Sequence, residues 1–213
     1  SMAPSELYSL ISERHAASDG LNRAPSKAFL YLFRGAEKSG LQTDAALAMS
    51  AHKMFVSHQR PVPHRHVTAL IRACIAASDW DSLEEALTDS RKLQLFFHAD
   101  FPVLSEAFAG LAGASEWERL ERVHAQLPSM ALDGVRKTTD LHASAVTALC
   151  EAGEVEAAAR TLDAALQMAV GDRRDKHPVL LDTCASLIAS QMDSGDVPGA
   201  QRTLARVEAH RDG

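Results

Sequence analysis

The fold of this chain is decided by Val146-Thr147-Ala148-Leu149-Cys150-Glu151-Ala152-Gly153-Glu154-Val155-Glu156-Ala157-Ala158. Apolar residues recur at spacings of three and four on both sides of Ala152-Gly153, and continue through Leu162 and Leu166. That spacing gives each segment one buried helical face. A small residue ends the first helix, an acidic residue opens the second, and a small residue five positions on lets the two approach. The same punctuation recurs at Gly40-Leu41-Gln42-Thr43-Asp44-Ala45 and Ser78-Asp79-Trp80-Asp81-Ser82-Leu83. It returns at Ser115-Glu116-Trp117-Glu118-Arg119-Leu120 and Gly195-Asp196-Val197-Pro198-Gly199-Ala200. The first residues of these five turns are spaced by 38, 37, 38 and 42 residues. A period of this size marks stacked helical hairpins, none of which can bury its apolar face alone.

Composition agrees with a helical reading. The 213 residues are 46% hydrophobic, 23% charged and only 5% aromatic, which suits a globular chain and excludes disordered or collagen-like classes. No run alternates apolar and polar residues as a half-buried strand does. Breaks at Ser18-Asp19-Gly20, Pro61-Val62-Pro63, Pro102, Pro128, Gly171 and Pro178 fall between the periodic runs and predict about eleven helices. The expectation is an all-α, single α-solenoid domain over residues 1–213, with repeats near 25–60, 63–100, 101–138, 139–176 and 177–210. No apolar run is long enough to span a membrane, so membrane insertion is not expected.

The unit from Asp140 to Leu166 closely resembles a pentatricopeptide repeat (PPR), in which helix A ends in an Ala-Leu-Cys-Lys-Ala-Gly-like string. Ala69-Leu70-Ile71-Arg72-Ala73-Cys74, within Thr68 to Leu87, is a second good match. The resemblance spans about Pro25 to Val207. Tetratricopeptide repeats (TPR) share the Gly-Asp-x-x-x-Ala turn, but their period is about 34 residues, and their Trp-x-x-Leu-Gly-x-x-Tyr signature is absent here. The resemblance implies a right-handed superhelix and a mitochondrial, matrix location. It also implies either organellar RNA binding or a protein-binding role in an assembly, such as the mitochondrial ribosome (mitoribosome) or the ATP synthase.

In RNA-reading members a polar residue near the start of helix A works with the last residue of the unit. Ten residues before each turn stand Leu30, Thr68, Ser105, Ala143 and Ala185. Leu and Ala cannot hydrogen-bond a base edge, so a consecutive code is not present, and Thr68 and Ser105 are the candidate RNA-code positions. Their partner positions fall near Phe101 and Thr139, with Asp100 and Asp140 one step away.

Net charge is −6, with 22 Lys+Arg against 28 Asp+Glu, which argues against a general nucleic-acid binder. Yet no Asp or Glu occurs from Ala45 to Ser78, where Lys53, Arg60, Arg65 and Arg72 make a basic patch. With an acidic remainder and few aromatic stacking platforms, this patch suits an acidic protein partner better than RNA. His52, His58, His64 and His66 lie among these residues, but no Cys or Glu completes a tetrahedral set, so no metal ligand is assigned. Cys74, Cys150 and Cys184 sit in apolar runs without CxxC spacing and are read as buried thiols. Trp80 and Trp117 occupy equivalent places one repeat apart and are expected as core wedges between hairpins.

Phosphate-loop, nucleophile-elbow, zinc-protease and dinucleotide motifs are missing. No catalytic residue, cofactor or small-molecule substrate is therefore expected. The sequence points to a non-catalytic protein-interaction subunit of a large mitochondrial complex, ATP synthase or mitoribosome, with an organellar RNA-binding factor as the alternative.

Overall fold

Each of the five aligned turns folds as a left-handed break between two helices. A computed structural model describes residues 2–16, 25–57, 63–92, 101–125, 135–169 and 178–212, with side chains at all of these except 90–92, 101, 135–140, 167–169, 178–180 and 210–212. The described residues form eleven helices and no strand. These are α1 (Pro4–Ala16), α2 (Ser26–Ser39), α3 (Gln42–Ser57), α4 (His64–Ala76), α5 (Trp80–Lys92) and α6 (Phe101–Gly113). They continue as α7 (Trp117–Ala125), α8 (Val135–Glu151), α9 (Val155–Ala169), α10 (Pro178–Asp193) and α11 (Val197–Asp212). Helix α8 starts immediately after Gly134, ahead of the 139 boundary read from the period, because no helix breaker stands between Val135 and Thr139.

Gly40, Ser78, Ser115, Gly153 and Gly195 have φ of 62°, 51°, 63°, 82° and 81°, and are the positive-φ residues among those described. Left-handed backbone reverses the chain and satisfies the carbonyls that a helix end leaves open. The N–H groups of Asp79, Glu116, Glu154 and Asp196 donate to the carbonyls of Cys74, Leu111, Leu149 and Gln191 at 2.8 to 2.9 Å. Those of Ser78, Ser115, Gly153 and Gly195 donate to Ile75, Ala112, Cys150 and Met192 at 3.0 Å. These paired bonds are the Schellman pattern. The first turn uses a simpler closure, from the Gly40 N–H to the Ala36 carbonyl at 3.1 Å.

At two of the turns the acidic residue that follows caps the next helix. Asp79 Oδ1 accepts from the Ser82 N–H at 3.1 Å, and Asp196 Oδ1 accepts from the Gly199 N–H at 2.9 Å. A Cβ at position 199 would overlap the Asp196 carboxylate as it is placed here, so a side chain there would require that carboxylate to shift, as the equivalent cap at Ser82 accommodates one.

The chain divides into two compact units, Ser1–Val103 and Leu104–Gly213. In the first, α2 closes on α3 and α4 on α5, α2 runs against α4, and α1 lies across α2 and α3. Leu32, Phe33, Leu70, Ile71, Leu83 and Leu87 are fully buried there. In the second, α8 closes on α9 and α10 on α11, α8 packs on α10, and α7 contacts α8 and α9. Phe108, Leu111, Leu120, Val146, Leu149 and Leu187 fill its interior. Each unit stacks hairpins through their first helices, so the fold is an all-α helical repeat of the α-solenoid class.

The two tryptophans are not the wedges the sequence suggests. Trp80 and Trp117 are only half-buried, because each is the first residue of its helix and sits beside the hairpin turn at the edge of the stack. The fully buried anchors of these helices lie one turn further in, at Leu83 and Leu120. Cys74 and Cys184 are buried and Cys150 is half-buried.

The turn geometry sets opposite outcomes for two exposed turn residues. Ser115→Gly removes a strained left-handed serine and should raise stability by about 0.5–1 kcal/mol, whereas Gly153→Ala should lower it by about 1–2 kcal/mol. No atom lies within 4 Å of a Cβ built at Gly153, so the second effect reports backbone conformation alone. Urea unfolding midpoints of the two variants measure both signs.

Candidate functional site

The acid-free run from Ala45 to Ser78 does not make an acid-free surface. Lys53, on α3, forms an ion pair with Glu85 of α5 at 2.7 Å, and Glu85 and Asp89 both act electrostatically on His52, beside Lys53 on α3. The hairpin stack brings the carboxylates of α5 against the cations of α3. Arg60 and His58 lie outside the described residues. Arg65 is exposed and Arg72 half-buried on α4. With Thr68 they are spaced i, i+3, i+7 and share one face of that helix. The Thr68 hydroxyl donates to the His64 carbonyl at 3.2 Å.

Among the described residues, the pair made by Lys53 is one of three that join the second helices of neighbouring hairpins. In the second unit Arg160 of α9 reaches Glu121 of α7 at 2.8 Å, and Arg206 of α11 reaches Asp163 of α9 at 2.6 Å. All three pairs are substantially exposed, so each contributes at most about 1 kcal/mol. Their effect is to occupy the charges along these outer helices.

The first helices of the second unit present different chemistry. A groove of about 400 Å³ opens along α8 and α10, with Ala109 of α6 at its edge. Ser144, Thr147 and Glu151 enter from α8, and Asp182, Thr183 and Ser186 from α10. Ala143 and Ala148 complete the lining, and no lysine or arginine takes part among the described residues. Glu151 and Asp182 are exposed. The Ser186 hydroxyl donates to the Asp182 carbonyl at 3.1 Å, so its oxygen remains an acceptor. Glu151 also stands at the C-terminal end of α8, the negative end of the helix dipole.

Counting ten residues back from each turn lands on an alanine of this lining and not on its hydroxyls. Ala143 at that position is buried, and the groove is faced by Ser144 and Ser186, nine residues before Gly153 and Gly195. One residue along a helix turns the side chain by about 100°. Leu30 is buried and Ser105 half-buried in the same series, while Ala185 is exposed.

Four histidines are buried rather than displayed. His66 Nε2 lies 2.8 Å from the Ser26 carbonyl, and the ring sits between Phe33 and Phe55 with centroids 6.0 and 5.4 Å away. His64, two residues earlier, is exposed, so the two rings do not converge. Neither ring nitrogen of buried His52 has a hydrogen-bond partner among the described residues. In the second unit His124 of α7 and His142 of α8 hydrogen-bond ring to ring, with centroids 4.6 Å apart. Burial pushes the proton affinity of all four below the ordinary imidazole value of 6.5, and His142 lowers His124 further. Among the described residues no three His, Cys, Asp or Glu side chains gather to hold a metal ion.

The sign of the resulting pH dependence is fixed. Above about pH 7 these imidazoles are neutral in both the folded and unfolded chain, and stability is at its full value. Below 6.5 the unfolded chain takes up protons that the fold refuses. Stability then falls, approaching about 1.4 kcal/mol per pH unit for each histidine. Urea midpoints taken between pH 7.5 and 5.5 should drop accordingly, and H142Q should flatten the slope.

No family model matches the chain, and no curated protein sequence matches it. Among the solved structures similar to it are two of a candidate kinesin light chain of Podosopora anserina with nearly identical TPR-like repeats. One is 18% identical, covering 88% of this chain and 96% of that one with a TM-score of 0.42. The other, a single-substitution variant, is 18% identical, covering 87% and 93% with a TM-score of 0.40.

Proposed function

We propose that this chain is a non-catalytic docking subunit of a larger mitochondrial assembly. The pentatricopeptide resemblance of Asp140 to Leu166 points to an ATP synthase accessory subunit or a mitoribosomal protein. The observation that carries the docking role is the groove on α8 and α10. It is concave and rich in acceptors, and it belongs to the helices that stack the repeats. Carboxylates at Glu151 and Asp182 repel phosphate, so this surface suits polypeptide better than RNA.

Exposed apolar surface supports the same reading. Leu181, Met192, Val197 and Leu204, all on the last hairpin, are 44% to 52% exposed, a concentration typical of protein-contact surfaces. One repeat earlier, the positions matching Ala185 and Ile188 are Ala143 and Val146, both buried. The reactive side chains give no support to catalysis. Burial pushes the thiols of Cys74 and Cys184 up to about 12 and about 11, so both stay protonated at neutral pH.

A second reading, RNA binding, rests on Arg65, Thr68 and Arg72 sharing one face of α4. Gradient fractionation of native mitochondria separates the two. Docking predicts that the chain sediments with a large protein assembly and stays there after nuclease treatment. Migration as a free 23.0 kDa species contradicts docking, and a nuclease-sensitive particle that is lost in an Arg65→Ala, Arg72→Ala variant establishes RNA binding instead.

A further inference from the structure

We infer that the exposed row shared by α2 and α4 in the first unit docks an acidic segment of a partner polypeptide, whose carboxylates seat among Lys27, Arg34, Lys38 and Arg65 beside Tyr31. This is a second surface, separate from the groove on α8 and α10, and it rests on the docking reading for the presence of a protein partner. Lys27, Tyr31, Arg34 and Lys38 follow at i, i+4, i+7 and i+11 and so share one stripe of α2. All four are exposed, and Tyr31, at 63%, is the most exposed large hydrophobic side chain among the described residues. One period on, counted from Gly40 to Ser78, Arg65 takes the place of Lys27 and Arg72 that of Arg34. The two helices run side by side in one direction. At their starts His66 Nε2 lies 2.8 Å from the Ser26 carbonyl, and at their ends a Cβ built at Gly40 would stand 3.3 Å from the Ala76 carbonyl. Seven residues of helix span about 10 Å and packed helices lie about 8–10 Å apart, so the repeat sets four cations at the corners of a patch about 10 Å on a side. Helix α4 contains no acid, and Glu37, the one acid of α2, is half-buried and about 100° round the helix from Lys38.

Two independent observations separate this row from an ordinary solvated face. Lys53, Arg160 and Arg206, on second helices, are held by Glu85, Glu121 and Asp163, whereas Lys27, Arg34, Lys38 and Arg65 form no ion pair among the described residues. Arg34 and Lys38, at i, i+4, repel one another, and a bound anion relieves that repulsion. The second observation is the Tyr31 ring, left in water amid the cations, where the equivalent position one repeat on is buried Ala69. A carboxylate is the complement of such a surface: arginine forks pair it bidentately, and lysine and the tyrosine hydroxyl add donors. An extended segment with an acid at every third residue matches the spacing, since polyproline-like backbone returns to the same side after three residues, about 9 Å along. RNA fits less well. A net charge of −6 repels a long polyanion away from the row, and Ala69 leaves Tyr31 without a second stacking platform one repeat on.

The test titrates the intact ¹⁵N-labelled chain separately with acetyl-Asp-Gly-Ser-Asp-Gly-Ser-Asp-amide, with the same peptide carrying Lys in place of Asp, and with a short oligouridine. The acidic peptide should shift amides over 27–38 and 65–72, bind at least about tenfold more tightly than the basic one, and weaken with added salt. K27Q combined with R34Q should abolish the preference and leave the melting temperature unchanged, since both side chains are exposed. K53Q should leave binding unchanged, because that ammonium is already paired. Equal response to the two peptides, shifts located elsewhere, undiminished binding by the double variant, or tighter binding of oligouridine than of the acidic peptide would overturn the site. Failure here is distinguishable from failure of docking. If the K27Q, R34Q chain still co-sediments with a large assembly, docking stands and this row is not its anchor. If the acidic peptide binds as expected but the native chain sediments alone, the row stands and the docking reading falls.

Discussion

The structure depends on one constraint: the residue that ends the first helix of each hairpin must adopt left-handed backbone. Gly40, Gly153 and Gly195 do this without steric cost, and Ser78 and Ser115 do it against a penalty. The reversal has two consequences at once. At four of the five turns it returns the N–H of the following residue to the carbonyls of the helix just ended, and at Asp79 and Asp196 it places an acidic side chain that caps the next helix. Hairpin angle and hairpin spacing are therefore set locally, within about six residues. The long-range stacking of α2 on α4 and of α8 on α10 follows from the apolar faces those angles present.

Stacking hairpins in phase sorts the surface into two rows of different chemistry. The second helices bear charges that neighbouring repeats neutralise, as Lys53 does with Glu85 and Arg206 with Asp163. The first helices of the second unit line a groove with hydroxyls and carboxylates and, among the described lining residues, no lysine or arginine. A repeat fold produces such a division without design at any one position, because residues one period apart recur on the same side.

The turns were legible in the sequence because left-handed backbone and helix caps demand particular residue types at fixed offsets. The charge pattern was not, because Glu85 and Asp89 reach α3 from a helix more than thirty residues along the chain. The run around Lys53 looks basic only while read in one dimension. The groove's hydroxyls escaped for a smaller reason: Ala143 and Ser144 are adjacent in sequence but about 100° apart on the helix, and a register wrong by one residue selects the buried alanine over the half-buried serine. The buried histidines carried a usable signal, since His66 and His142 lie on apolar faces near the start of first helices. Their partners, however, come from the preceding hairpin, and no spacing rule connects His124 to His142 across 18 residues.

The most direct measurement is the backbone conformation of the two serine turns in solution, from chemical shifts and φ-dependent couplings of the intact chain. The account predicts positive φ at Ser78 and Ser115, with helical values resuming only at Trp80 and Trp117. Continuous helical values through Ser78-Asp79 or Ser115-Glu116 would contradict it, since a helix that does not break there cannot form the hairpin on which the stack is built.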